Sequence, residues 1–69
     1  MKTNIKDRLK ELRKENNLTQ KQIAKMLKKS ETGYASWEQG LSEPGINDII
    51  TLCEIYNISA DYLLGIKEY

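Results

Sequence analysis

Apolar residues recur along this chain at the spacing of helix faces, and no segment alternates in the manner of a strand. Ile5, Leu9 and Leu12 stand at i, i+4 and i+7 with Lys6, Lys10 and Lys14 around the outside, which predicts an amphipathic helix over about 4–15. Asn16-Asn17 ends it, because asparagine after glycine best tolerates the left-handed position past a helix. Thr19, with Gln22 three residues on, has the pattern of a capping box and opens a second helix over about 20–28, with Ile23, Ala24 and Leu27 inward. Ser30 is the next N-cap, and Glu31 suits the positive end of a helix dipole. Tyr34 and Trp37 form the buried stripe of that third helix, 31–39, which stops at Gly40. "LSEPG" reads as a loop, since Pro44 disfavours helix at the residue before it and Gly45 is permissive. Ile46, Ile49, Ile50, Cys53 and Tyr56 or Asn57 mark a fourth helix, 46–56. Ser59 caps a short fifth, 60–64, with Asp61 in its first turn. The expected fold is all-α, five helices sharing one core, and 69 residues form at most one domain, 1–69.

The second and third helices are short, and their connection has no room for a wide loop. Such a pair meets at a steep angle, as in a helix-turn-helix. Ala24, small and inward, lets the third helix approach closely, while Ile23, Leu27, Tyr34 and Trp37 fill the angle. The N-terminal end and outer face of the third helix are then left projecting, shaped to enter a major groove.

Charge sharpens this picture. The net charge is only +1, yet residues 1–30 hold ten Lys/Arg against three Asp/Glu, a balance of +7, and residues 31–69 hold one against seven, a balance of −6. One half is basic and the other acidic. The chain has no histidine and its carboxylates are scattered, so neither a nucleophile with a base nor a carboxylate dyad can be assembled and no enzyme is expected. A single cysteine excludes an internal disulfide, and no Cys/His set has zinc spacing, so neither metal nor cofactor is expected. "MKTNIKDRLKELRKENN" carries a charge in almost every turn and no apolar block long enough for a signal peptide or membrane span, pointing to a cytoplasmic protein.

"LKELRKENNLTQKQIAKMLKKS", "SWEQG", "EP" and "ISADYLLG" together resemble the phage-repressor family of helix-turn-helix regulators, the lambda repressor-like or xenobiotic-response-element type. The likeness runs from about Ile5 to Gly65. Leu12-Arg13, Leu18-Thr19-Gln20, Ala24, Trp37-Glu38 with Gly40, and Tyr62-Leu63-Leu64-Gly65 stand at the family's spacing. The resemblance implies sequence-specific binding of double-stranded DNA by a transcriptional regulator, a repressor of phage or mobile-element type. It implies that Glu31, Thr32 and Ser36 read base edges, that Thr19, Gln20 and Gln39 hold phosphates, and that Arg13 and Glu38 pair within the domain. Lys21, Lys25, Lys28 and Lys29, with Lys6, Lys10 and Lys14, are the cations available to the DNA backbone.

Four departures stand out. Lys28 occupies a turn position where the family usually has glycine, at a cost on the order of 1 kcal/mol if φ is positive there. Gly33 lies inside the reading helix, either simply tolerated or allowing its backbone close to DNA. The reading surface contains no arginine, and the loop Leu41-Ser42-Glu43 has no basic residue.

Plainer roles account for other residues. Tyr34, Trp37 and Tyr56 read as core, Cys53 as a buried inert thiol and Met26 as partly exposed. The lysines of the first helix read chiefly as a solvated face. Tyr62, Leu64, Ile66 and Tyr69 fall in a span too short to bury them all, and belong either to a two-fold homodimer on a palindromic operator with half-sites about one helical turn apart or to a fraying terminus. No membrane and no small-molecule ligand are expected as partners. The alternative function is a protein-interaction module of the same fold, antitoxin-like or an anti-regulator, docking a basic partner through its acidic half.

Overall fold

The computed structural model describes residues 5–67. They form α1 (Ile5–Glu15), α2 (Gln20–Met26), α3 (Glu31–Gln39), α4 (Ile46–Tyr56) and α5 (Ala60–Leu64), with no strand among the described residues. The caps form as their residues dictate. Thr19 accepts from the Gln22 amide at 3.1 Å while the Gln22 side chain accepts from the Thr19 amide at 2.8 Å. Ser30 and Ser59 accept from the amides of Gly33 and Tyr62. Each side chain satisfies a first-turn N–H that has no partner within the helix.

All five helices end on a residue with positive φ: Asn17 (57°), Lys28 (59°), Gly40 (79°), Asn57 (54°) and Gly65 (80°). After α2 the amides of Lys28 and Lys29 donate back to the carbonyls of Lys25 and Ala24 at 3.1 and 2.9 Å, the two bonds of a Schellman ending. This corrects the expected end of the second helix from residue 28 to Met26: once Lys28 turns left-handed, the helix cannot reach it. These closures reverse the chain within a few residues, so five short helices can meet on one core.

Every helix contributes to that core. Leu9, Ile23, Tyr34, Leu52 and Leu63 are fully buried, with Ile5, Leu12, Ala24, Leu27 and Trp37 around them. Burying each large side chain contributes about 1.5–3 kcal/mol. α1 packs on α3 and α5, α2 on α3, and α4 on α5. The Arg8 guanidinium lies 4.2 Å over the Tyr62 ring, joining α1 to α5.

The inward face of α4 differs from the expected one. Leu52 is fully buried, and Ile49, Cys53, Ile55 and Tyr56 pack partly on the core, whereas Ile46 is 79% and Ile50 53% exposed. α4 is apolar nearly all round, so more than one stripe fits its period, and docking against α5 selects the one through Leu52. Cys53 is only half-buried, and burial together with the Glu54 charge pushes its thiol above the usual range.

Candidate nucleic-acid interface

The short connection after α2 sets the position of α3. Ala24 and Ile23 are buried where the two helices meet, and Tyr34 and Trp37 plug α3 into the core with their rings edge to face at 5.7 Å. Burial of that one side leaves the other open. Glu31, Thr32 and Gln39 are exposed, and Gly33 and Ser36 are half-buried, so none of the described residues covers the leading edge of α3. Ser36 is the least free of the expected readers: its hydroxyl donates to the Gly33 carbonyl at 2.6 Å and also meets the Ser42 hydroxyl.

Behind this edge lies a buried polar network. Arg13 donates from Nε to Glu38 Oε2 at 2.7 Å and from Nη2 to Oε1 at 3.2 Å, and from Nη1 to the Leu18 carbonyl at 3.0 Å. The Tyr34 hydroxyl donates to Glu38 Oε2 at 2.6 Å, and Gln20 Nε2 donates to Oε1 at 3.2 Å. Burial alone would raise the Glu38 carboxyl, but the hydrogen bonds from Arg13, Tyr34 and Gln20 outweigh it and hold the group below the usual carboxylate range. Burial, then the bond to Glu38, pushes the Tyr34 phenol far up, so it stays a neutral donor. The expected Arg13–Glu38 pair thus forms and clamps α1, α2 and α3 together. Tyr34 belongs to it as well. Tyr34, expected only in the apolar stripe, lies four residues from Glu38 on the same helix, and that spacing carried the information.

The cations divide. Lys21 and Lys28 are exposed and form no ion pair with another described residue, whereas Lys29 Nζ lies 3.5 Å from Asp48 Oδ1. Asp48 in turn accepts from the Gly45 amide at 3.2 Å, so Lys29 is partly committed to the start of α4. Thr19 and Gln20 stand at the start of α2, but the Thr19 oxygen serves the cap and the Gln20 amide reaches Glu38. Among the described residues no cluster of metal-ligating side chains occurs, and no described helix is long and apolar enough to cross a membrane.

Residues 7–66 match a family described as the helix-turn-helix domain. The chain belongs to the lambda repressor-like helix-turn-helix family. It is 31% identical over 61 residues to an uncharacterized HTH-type transcriptional regulator, YobD, of Bacillus subtilis (strain 168), covering 88% of this chain and 54% of that protein. It is 36% identical over 61 residues to the HTH-type transcriptional regulator ImmR of the same organism, covering 88% and 48%. The chain therefore spans about half the length of these relatives. A crystal structure of a transcriptional regulator from Listeria innocua superposes with a TM-score of 0.91 at 29% identity, over 94% of this chain and 61% of that one. The family and its fold are those of transcriptional regulators, not of enzymes.

Within this helix-turn-helix family frame, the C-terminal residues divide too. Tyr62 and Leu64 pack partly against the core, Ile66 is 49% exposed, and Tyr69 lies outside the described residues.

Proposed function

We propose that this chain binds double-stranded DNA sequence-specifically in the cytoplasm and regulates transcription as a repressor, reading the major groove with α3. The uncovered leading edge of α3, backed by the Arg13–Glu38–Tyr34 network, is the observation that carries the reading. Glu31 accepts from cytosine N4, Thr32 offers a hydroxyl and a methyl, and Ser36 adds a hydroxyl shared with Ser42. Thr19, Gln20, Lys21, Lys28, Lys29 and Gln39 hold phosphates and set the register without reading sequence. Lys28 contributes more than Lys29, which Asp48 already engages. Repression follows from occupying promoter DNA, as suits a phage or mobile-element regulator. One α3 spans few base pairs, so two copies pair on a palindromic operator through Tyr62, Leu64, Ile66 and Tyr69.

Selection from random duplex DNA at two salt concentrations tests this reading, because it reports whether a site exists, its symmetry and the spacing of its halves. Thr32→Ala and Ser36→Ala are expected to relax preference at particular base pairs by about 1–3 kcal/mol, whereas Gln20→Ala weakens all duplexes alike. Lys28→Glu abolishes binding. Uniform loss from all three alanine variants would overturn the division between readers and anchors.

One feature favours a second reading, a protein-interaction module. Leu41 and Ile46 are 78% and 79% exposed, with Glu43 and Glu54 exposed on the same acidic half. A module that docks a basic partner there shifts no DNA even at low salt, and loses its partner on charge reversal at Glu43 or Glu54.

A further inference from the structure

α1 sends one cation to the far end of the reading helix. Lys6, in the first turn of α1, lies across Gly40: a β-carbon at position 40 would stand 3.1 Å from Lys6 Cδ and 3.7 Å from its Nζ. Gly40 thus supplies both the positive φ that ends α3 and the space in which the lysine stem rests. The ammonium forms no ion pair or hydrogen bond with another described residue. It shares a cleft of about 420 Å³ with Gln39, Ser42 and Glu43, walled on the apolar side by Ile5 and Trp37.

Lys6 is not needed to close α3. The amides of Gly40 and Leu41 already satisfy the carbonyls of Trp37 and Ser36 at 3.3 and 3.0 Å. What this end of α3 lacks is positive charge, because Leu41-Ser42-Glu43 has no base and Glu43 repels an anion. We propose that Lys6 binds a DNA backbone phosphate together with Gln39 and Ser42, supplying from α1 the charge that the loop after α3 does not carry. The exposed stem rests over Gly40, so part of its side-chain freedom is already given up before binding. The inference rests on the DNA-binding reading above and adds a contact from outside the helix-turn-helix.

The test measures affinity for a mixed-sequence duplex, and for the selected site, across a salt series. Lys6→Gln is expected to lower affinity about five- to tenfold near 0.1 M salt, and to reduce the slope of log K against log salt by about 0.9, the loss of one phosphate contact. Ala60→Glu, an equal change in net charge at the exposed start of α5, leaves the slope unchanged. Lys6→Arg retains the slope, and Leu41→Lys restores it to Lys6→Gln by placing the charge in the loop itself. Thermal melting of each variant separates this role from simple capping: an unchanged slope with a lowered Tm in Lys6→Gln overturns the proposal. If the wild-type chain binds no duplex, the DNA-binding reading falls and this contact with it, a result distinct from intact binding that ignores Lys6.

Discussion

Glu38 accepts four hydrogen bonds from three side chains, with its own side chain only 2% exposed. A buried carboxylate so satisfied is costly to disturb, because removing it leaves the Arg13 guanidinium, itself 14% exposed, without its counter-charge. Glu38→Gln is therefore expected to cost about 3–5 kcal/mol at neutral pH. The pH dependence follows from the lowered carboxyl. A group depressed on folding stabilises the fold above its unfolded value, about 4.3, and that stabilisation is lost as pH falls through the folded value. Urea melts of wild type and Glu38→Gln should differ more at pH 7 than at pH 3. An equal gap at both pH values would mean the carboxylate charge is not what holds α1 to α3. The Arg13–Glu38 pairing was accessible only through family resemblance, since nothing local says which of several glutamates meets a given arginine across the chain. Tyr34, by contrast, was available from spacing alone.

Caps and most helix ends were legible because they depend on neighbours in sequence: Thr19 with Gln22, Ser30 before Glu31, asparagine or glycine past a last turn; the end of α2 was not, because Lys28 takes a left-handed turn that its residue type does not announce. The inward face of α4 was not, because a helix carrying isoleucine or leucine on most sides offers no unique stripe, and only its docking against α5 selects Leu52 over Ile46 and Ile50. At the α2–α3 turn a residue's two roles conflict. Lys28 holds φ at 59°, which costs a non-glycine residue about 1 kcal/mol. Lys28→Gly should raise Tm by about 4–8 °C, the shift one kcal/mol produces in a domain of this size, while weakening DNA binding at low salt. A variant that gained stability without losing affinity would remove Lys28 from the phosphate contacts. Gly33 tests the next turn in the same way. Alanine there favours helix by about 1 kcal/mol, but its β-carbon would stand 2.9 Å from the Ser30 hydroxyl that caps α3. The two effects oppose, so Gly33→Ala should leave stability within about 0.5 kcal/mol. Any large fall in affinity for the selected duplex then assigns Gly33 to close approach of the α3 backbone to DNA; unchanged affinity makes it a tolerated helix glycine.

At the scale of the whole molecule, 28 × 24 × 21 Å, packing rather than order along the chain decides which charges become neighbours. The docking of α1 on α3 carries Lys6 to the end of the reading helix, an arrangement no local pattern announces. Pairing of two copies is equally non-local, and exposed apolar side chains lie both on α4 and just after α5. Ile66 follows α5, beside the partly covered Tyr62 and Leu64, whereas Ile46 and Ile50 project from α4. Lys29 meets Asp48 at the start of α4, but Glu54 lies one turn beyond Ile50 and Glu43 is exposed just before the helix, neither paired with another described residue, so a two-fold contact there would bring like charges together. The α5 end has Lys67 beside Asp61, 3.8 Å apart, and so carries both signs. Ile66→Asp is therefore expected to convert a dimer at tens of micromolar to monomer in sedimentation, with Ile50→Asp leaving it intact. On a duplex with two half-sites, losing the dimer removes the gain from joining two weak contacts, lowering apparent affinity about a hundredfold while affinity for a single half-site stays as it was. The reverse ranking of the two variants would move the interface to α4, and a wild-type chain monomeric both free and on DNA would remove the two-fold arrangement altogether.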